Sequence, residues 1–199
     1  VFVILAAAIK LDSEGDVFFR QVRLTRYGEK FNIYKFRTMV KNAESIGRQV
    51  TLNGDRRITR TGKFLRRLRL DELPQLINII KGEMSFVGAR PEVICYAKEY
   101  TDEMLATLLL PAGVTSEACL QFKDEEKYLR SAINADEVYL KKIMPAKIRI
   151  NLDNLMNFTF RKDLETILHT LSFIVKSSIA RTRNRRLQRV GGHVIGRHV

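Results

Sequence analysis

Hydrophobic and polar residues alternate in two neighbouring stretches near the start of the chain, residues 18–24 and 31–39. A period of two is typical of strands that bury one face. Tyr27 and Gly28 stand between the stretches and suit a tight turn. The pattern therefore predicts a β-hairpin, with Lys35 and Arg37 on one face of its second strand.

Farther along the chain, the apolar residues recur at the spacing of a helix. One helix is predicted over residues 61–70. Because proline fits the first turn of a helix but not its interior, Pro74 indicates that a second helix starts there, with Asp71 as its N-cap or first-turn residue. Further helices are predicted over residues 92–110, 123–140 and 163–179. The expected apolar face of the helix after Pro74 consists of Leu73, Leu76, Ile77 and Ile80.

The two ends of the chain have contrasting patterns. Residues 1–9 are all apolar, but a helix that spans a bilayer needs about 20 such residues. They fit the second half of a membrane-associated helix, an interfacial anchor, or a buried terminal segment of the core. Residues 181–199 are rich in arginine and contain a Gly-Gly pair, which favours a disordered basic tail.

The charge of the chain indicates an anionic partner. Its 199 residues, 45% of them hydrophobic, suit one domain with a sizeable core, and the formal net charge is +13. This balance implies nucleic acid, an acidic membrane surface or phosphorylated substrates, and composition does not choose among them. The two cysteines, Cys95 and Cys119, are interpreted as reduced thiols of a cytosolic compartment.

Asp71 and Glu72 are the pair of residues best suited to chemistry. A carboxylate at a helix N-terminus lies at the positive end of the helix dipole and accepts backbone N–H bonds, and both effects favour its ionised form. An ionised, oriented carboxylate serves as a nucleophile toward phosphorus or as a magnesium ligand. The alternative is structural, because an Asp-Glu pair is also a common helix cap.

Cationic residues are frequent on both sides of this pair. Guanidinium groups bind phosphate oxygens two at a time, so the cluster suits a phosphorylated substrate. Pro91 restricts Arg90 to extended conformations and so pre-aims its side chain. A solvated basic face or contact with anionic lipid is the alternative, especially for Arg66 and Arg67. The cluster comprises Lys35, Arg37, Arg56, Arg57, Arg60, Arg66, Arg67, Arg69 and Arg90.

Five segments match, in order and spacing, the motifs of a known enzyme family. They read YKFRTM at 34–39, DRRITRTG at 55–62, LDELPQ at 70–75, NIIKGEMSFVGARP at 78–91 and PAGVTS at 111–116. Together they resemble the bacterial sugar transferases, monotopic polyprenyl-phosphate phosphoglycosyl transferases that prime exopolysaccharide and glycan synthesis. The resemblance runs from residue 1 to about residue 171.

This resemblance implies a fold and a location. The fold would be α/β of the α+β kind and rich in helices, a compact catalytic core with a short β-hairpin and no Rossmann fold. Residues 1–10 would be the remnant of an N-terminal re-entrant membrane helix, residues 11–180 the catalytic domain and residues 181–199 the disordered tail. The protein would be attached to the cytoplasmic face of the bacterial inner membrane, with anionic lipid as a partner.

The resemblance also implies a reaction. Sugar 1-phosphate would move from a UDP-sugar to polyprenyl (undecaprenyl) phosphate, releasing UMP and initiating exopolysaccharide, O-antigen or glycan synthesis. Asp71 would attack the sugar-linked phosphorus to form a covalent phosphosugar–aspartate, and Asp71 and Glu72 would hold Mg²⁺. The residues expected to bind substrate phosphate are Lys35, Arg37, Arg56 and Arg90.

Two residues depart from the family pattern. Ala89 replaces the first proline of a Pro-Arg-Pro run, which lowers the expected rigidity of the Arg90 loop. Asn154 stands where an aromatic residue is expected, so the packing of the acceptor is expected to differ if this position lines its site.

Two other classes of protein compete with the enzyme. A nucleic-acid-binding protein fits the basic charge, but the chain has neither a Cys/His zinc pattern nor an aromatic RNA-binding run, so no nucleic acid is expected. A lipid-binding scaffold without activity leaves the Asp71–Glu72 pair unexplained. The identity of the sugar and the oligomeric state stay open.

Overall fold

The structure, a computed structural model, describes residues 1–46, 55–125, 129 and 134–194, with the backbone alone for residues 44 and 178–194. The strands are β1 (Phe18–Leu24), β2 (Lys30–Phe36), β3 (Met84–Val87) and β4 (Ala112–Thr115). The α-helices are α1 (Phe2–Asp12), α2 (Ala43–Ile46), α3 (Arg60–Leu68), α4 (Gln75–Ile80), α5 (Ile94–Ala97), α6 (Asp102–Leu105), α7 (Glu117–Gln121), α8 (Ala135–Val138), α9 (Met144–Met156) and α10 (Phe160–Val194).

The predicted hairpin is present. Strands β1 and β2 pair antiparallel, with Phe18 opposite Phe36 and Leu24 opposite Lys30. The turn between them holds Tyr27 at a φ of 56° and Gly28 at 76°, which reverses the chain within a few residues. Each sheet in the described part of the chain has two strands, so the predicted α+β, helix-rich fold without a Rossmann sheet is confirmed.

Helix α1 belongs partly to the core. Ile9 is buried against Phe36 of β2 and Leu65 of α3. The opposite side of α1 is exposed, with Val3 81% and Ile4 73% accessible. Residues 1–9 therefore combine a buried core segment with an uncovered apolar surface. Among the described residues, no helix is both long enough and apolar enough to cross a membrane.

A second, parallel pair of strands packs against α10. Strand β3 lies beside β4, with Met84 opposite Ala112. Just after β3, Gly88 contacts Gly113 so closely that a Cβ on Gly113 would lie 2.2 Å from the Gly88 nitrogen. Both glycines are therefore needed for this contact, which fixes the start of the Arg90 loop.

The predicted apolar face of α4 is largely uncovered, although Leu73 packs against the core cluster that contains Leu65. The helix buries Gln75 and Asn78 completely, whereas Leu76 and Ile80 are exposed. Asn78 explains this orientation, because its Oδ1 accepts from the Tyr34 backbone at 3.0 Å and its Nδ2 donates to the Asn32 carbonyl at 2.8 Å. The side chain thus binds α4 to β2 by hydrogen bonds that an apolar face would not provide.

The second half of the chain is mostly helical. The helix predicted over 92–110 is instead divided into α5, α6 and a 3₁₀ turn at Ala106–Leu109. The helix predicted over 163–179 lies within α10. This helix continues to Val194, so the backbone of residues 181–194 is helical where the sequence favours disorder, and residues 195–199 lie outside the described part. The division into three segments stays a prediction.

Candidate active site

The Asp71–Glu72 pair lies in a separate turn between two helices. Arg69 ends α3 in the left-handed conformation, at a φ of 57°, and Leu70–Glu72 then form a 3₁₀ turn. The N-cap of α4 is Pro74, so the prediction that Asp71 caps or opens this helix is wrong. Because successive residues of a 3₁₀ turn point about 120° apart, Asp71 and Glu72 face different surroundings.

Asp71 is buried and incompletely hydrogen-bonded. Its side chain is 9% exposed, and its Oδ1 has no hydrogen-bond partner within the described residues. Burial, followed by the charge of Glu72, raises the pKa of the Asp71 carboxyl above its usual value, and nearby cations oppose that rise only in part. This is the reverse of the depressed pKa expected from a helix N-terminus. This oxygen is therefore not committed to a hydrogen bond within the described part of the chain.

Glu72 has the opposite character, because it is paired with arginine. Arg90 donates to both carboxylate oxygens of Glu72, and Arg69 lies 3.7 Å away. Burial raises the pKa of Glu72, but Arg90, followed by Lys35 and Arg69, outweighs burial and lowers it to about 2. Arg90 also donates to the Val114 carbonyl of β4 at 3.1 Å. The Gly88–Gly113 contact thus fixes the loop from which Arg90 reaches the Leu70–Glu72 turn, despite Ala89.

Lys35 lies on the other side of the same carboxylates. Burial and the charge of Arg90 lower the pKa of its ammonium to about 8, while Glu72 and Asp71 act in the opposite direction. The side chain lines the same cavity as Asp71. The prediction that Lys35 belongs to the site is consistent with this position.

A cavity of about 650 Å³ opens beside Asp71, and we call it the charged cavity. Arg57 and Arg66 line it together with Lys35. Arg57 is held by Asp55 at 2.7 Å, and the Arg66 Nε donates to Thr38 at 2.9 Å. Seven cationic residues line the cavity with the buried Asp71 and with Asp16, and this excess of positive charge favours a polyanion.

Arg37, predicted to bind substrate, lines the charged cavity, but its donors are already bound to acceptors of the protein. Its guanidinium donates to main-chain carbonyls of the segment after α1, including Asp16 at 2.5 Å, Glu14 at 2.7 Å and Ser13 at 2.8 Å. A further donation reaches the Ile9 carbonyl in the last turns of α1. All five N–H groups are used, so Arg37 fastens the C-terminal end of α1 rather than offering donors to a phosphate.

The structure also changes which arginines of the 55–62 motif face the cavity. Arg56, predicted to bind substrate, is exposed and does not line the charged cavity, whereas its neighbour Arg57 does. Arg66, which sequence alone favours as a surface residue, lines it as well. Arg57 and Arg66 both belong to the basic cluster, but their spacing in the sequence did not show that their side chains line one cavity.

Gln75 is a buried polar residue that sequence reasoning did not single out. Its side chain is fully buried, and neither amide atom has a hydrogen-bond partner within the described residues. It lies four residues after Asp71, the distance that places side chains on one face of a helical segment. The signal in the sequence was a glutamine directly after a proline that opens a helix.

The residues present fit a magnesium ion that substrate helps to bind. Among the described residues, no group of three His, Cys, Asp or Glu could hold a metal ion without further ligands. Mg²⁺ commonly takes one or two carboxylates and completes its shell with phosphate oxygens and water. The unpartnered Oδ1 of Asp71 matches one such ligand, and Glu72 would become a second by exchanging its pair with Arg90 for the ion.

The chain is similar to known proteins along most of its length. The sequence profile described as "Bacterial sugar transferase" matches residues 1–177. The UDP-glucose:undecaprenyl-phosphate glucose-1-phosphate transferase of Caulobacter vibrioides is 31% identical over 183 residues, which are 90% of this chain and 64% of that protein.

Two further relatives are similar over shorter segments. The UDP-N-acetylgalactosamine-undecaprenyl-phosphate N-acetylgalactosaminephosphotransferase of Aeromonas hydrophila is 46% identical over 99 residues, 50% of this chain and 23% of that protein. The sugar transferase EpsL of Bacillus subtilis is 38% identical over 115 residues, 58% of this chain and 56% of that protein. The chain thus spans less than two thirds of the length of each of these relatives.

Proposed function

The chain belongs to the bacterial sugar transferase family, and we propose that it transfers a sugar 1-phosphate from a UDP-sugar to a polyprenyl phosphate and releases UMP. The names of the relatives from C. vibrioides and A. hydrophila describe this type of transfer to undecaprenyl phosphate. The product would be the first lipid-linked intermediate of an exopolysaccharide, O-antigen or other glycan.

The observation that carries the proposal is the position of Asp71 in the charged cavity. A buried carboxylate with an unpartnered oxygen is a strong nucleophile once ionised, because no hydrogen bond stabilises its ground state. Lys35, Arg57 and Arg66 line the same cavity. Lys35 and Arg66 would bind the two phosphates of a UDP-sugar, and Arg57, paired with Asp55, would add positive charge.

The proposed chemistry has two displacements at one phosphorus atom. An Asp71 carboxylate oxygen bonds to the sugar-linked phosphorus, the bond from that phosphorus to the UMP oxygen breaks, and UMP leaves with the bonding electrons. An oxygen of the polyprenyl phosphate then bonds to the same phosphorus. The acyl-phosphate bond breaks, Asp71 is regenerated as a carboxylate, and the sugar remains on a polyprenyl diphosphate.

Asp71 and Glu72 are the residues that would hold Mg²⁺. When bound, this ion would neutralise charge on the diphosphate and so favour the departure of UMP. Glu72→Gln should therefore raise the magnesium concentration needed for half-maximal rate. The thermal midpoints of this variant and of the parent are compared, because the change also weakens the pair with Arg90. Full activity in excess chelator would exclude the magnesium proposal.

The site is proposed to work at a membrane surface on the cytoplasmic side. The acceptor has an isoprenoid chain that is insoluble in water, so the active site must meet a bilayer. The exposed apolar side of α1 and the net charge of +13 supply two signals for such binding, and two together anchor better than one.

A panel of UDP-sugars tests the reaction. UMP release is followed with detergent-solubilised undecaprenyl phosphate, and protein quenched during turnover with a sugar-labelled donor is analysed for a phosphosugar on Asp71. At least one donor should give UMP and a labelled peptide that contains residue 71. Failure to release UMP with any donor, by folded protein supplied with acceptor and magnesium, would falsify the proposed function.

A further inference from the structure

A second cavity borders the Leu70–Glu72 turn, and we call it the apolar groove. Its volume is about 280 Å³. Its charged residues, Arg69, Glu72 and Arg90, form one cluster, because Glu72 pairs with both arginines. Most of the remaining wall is apolar and comes from α4, β3, β4, α7 and α10. The groove thus has a cationic end, with two guanidiniums against one carboxylate, and apolar walls.

Part of this apolar wall is uncovered. Leu76 of α4, Phe86 of β3 and Leu171 of α10 line the groove and are 40%, 52% and 55% exposed. Apolar side chains gain about 25 cal/mol for each Å² removed from water, so a rim of three such residues favours an apolar occupant. The groove is therefore suited to a ligand that covers Leu76, Phe86 and Leu171.

The groove is separate from the charged cavity. Asp71 lines the charged cavity and Glu72 lines the groove, as expected for successive residues of a 3₁₀ turn. Among the described residues, none lines both spaces. A ligand in the groove therefore reaches the Leu70–Glu72 turn without passing through the charged cavity.

We infer that the apolar groove holds the first isoprene units of the polyprenyl phosphate, with its phosphate beside Arg69 and Arg90. This inference rests on the proposed function and specifies where its acceptor binds. A phosphate that carries an apolar chain matches a cationic end joined to apolar walls, whereas a nucleotide sugar is polar throughout and matches the charged cavity. At about 280 Å³ the groove is smaller than typical sites of about 300–1,000 Å³, so the rest of the chain stays in the lipid.

A matched pair of variants on α10 tests this inference. Leu171 and Leu168 are 55% and 56% exposed, but only Leu171 lines the groove. Leu171→Gln should lower kcat/KM for undecaprenyl phosphate about fivefold, and Leu168→Gln should leave it unchanged. Phe86→Gln repeats the test on the opposite wall. Its side chain is half exposed, so the fold should tolerate it.

Two further measurements separate this inference from the proposed function. The exchange of labelled UMP into UDP-sugar without acceptor reports the donor half-reaction, and it should be equal in the parent, Leu171→Gln and Phe86→Gln. The Kd of undecaprenyl phosphate in detergent should rise about fivefold in both groove variants, whether or not any donor is active. Equal Kd and kcat/KM values for Leu171→Gln and Leu168→Gln would overturn the groove as the acceptor site. A parent protein that binds undecaprenyl phosphate in the groove but exchanges no UMP would contradict only the proposed reaction.

Discussion

At the scale of single residues, Asp71 is held in a state that disfavours its own charge. We predict that Asp71→Asn lowers the rate of UMP release by at least about a thousandfold, because the nucleophile is removed. The same change should raise stability at pH 7. The folded-state pKa of Asp71 lies above its unfolded value, so stability falls as pH rises from the unfolded pKa through the folded one, and the asparagine protein avoids that fall.

The thermal midpoint checks this prediction at two pH values. At pH 7 the Asp71→Asn midpoint should equal or exceed that of the parent, and the advantage should shrink toward pH 4 as Asp71 takes up its proton. A destabilised Asp71→Asn protein at pH 7 would show that the carboxylate has a stabilising partner that the structure does not contain.

Lys35 gives the reaction a limit at alkaline pH. Its pKa of about 8 means that the ammonium loses its proton, and its attraction for phosphate, as pH rises through that value. We predict that kcat/KM for the UDP-sugar falls above pH 8 and that Lys35→Arg moves this fall to higher pH, because a guanidinium stays charged there. The acid limb, set by Asp71, should stay in place. An unchanged alkaline limb in Lys35→Arg would assign it to another group.

The sequence showed which residues have the chemistry but not how each is used. The Asp71–Glu72 pair and Arg90 were predicted from residue type and motif spacing, and the structure brings them together. Arg37 and Arg57 both line the charged cavity, and their roles could not be predicted this way. Those roles depend on partners that the fold supplies, which are carbonyls of residues 9–16 for Arg37 and the Asp55 carboxylate for Arg57. The raised pKa of Asp71 depends on its burial, which cannot be predicted from the residues next to it in the sequence.

At the scale of elements, Arg37 connects α1 to the hairpin. We predict that Arg37→Met lowers the free energy of unfolding by about 2–4 kcal/mol, because the carbonyls of Ser13, Glu14 and Asp16 lose a charged donor. Lys10→Met, an exposed change on the same helix, should alter it by less than about 0.5 kcal/mol. Chemical denaturation measures both.

Enzyme kinetics then distinguish a structural role of Arg37 from a role in substrate binding. Below its unfolding temperature, Arg37→Met should keep the KM for the UDP-sugar within about twofold of the parent, since no donor of Arg37 is free for phosphate. A large rise in KM without loss of stability would restore Arg37 to the substrate site.

The elements themselves were predictable where local pattern determines them. The hairpin follows from alternation around a Tyr-Gly turn, and both features are local. The exposure of the apolar face of α4 could not be predicted from its spacing, because Asn78 hydrogen-bonds to β2 and leaves Leu76 and Ile80 exposed. Helical periodicity reports that a face exists, and only tertiary contacts decide which face is buried.

At the scale of the whole molecule, α1 is expected to hold the protein on a membrane. Removing residues 1–9 would not test this cleanly, because Ile9 is part of the core with Phe36 and Leu65. We predict instead that the double change Val3→Glu and Ile4→Glu, at exposed positions, reduces binding to phosphatidylglycerol vesicles about tenfold or more. Vesicle sedimentation measures the bound fraction.

A control variant and the effect of salt on vesicle binding complete the test of α1 as the membrane anchor. Leu109→Glu, at an exposed position in the 3₁₀ turn after α6, should bind vesicles like the parent. Salt should weaken binding of the parent without abolishing it, because charge attraction is screened within about 10 Å while apolar contact is not. Equal vesicle binding by both glutamate variants would place the anchor elsewhere.

The 3₁₀ turn that divides Asp71 from Glu72 also has an evolutionary consequence. Since no described residue lines both the charged cavity and the apolar groove, substitutions can remodel one wall without disturbing the other. Relatives named for glucose and for N-acetylgalactosamine are all named for undecaprenyl phosphate. Under the placement of donor and acceptor proposed above, this partition would let a lineage acquire a new donor sugar by changes around the hairpin while it keeps its lipid carrier. A molecule filling the groove would then inhibit members with different sugars, whereas one filling the charged cavity would be selective.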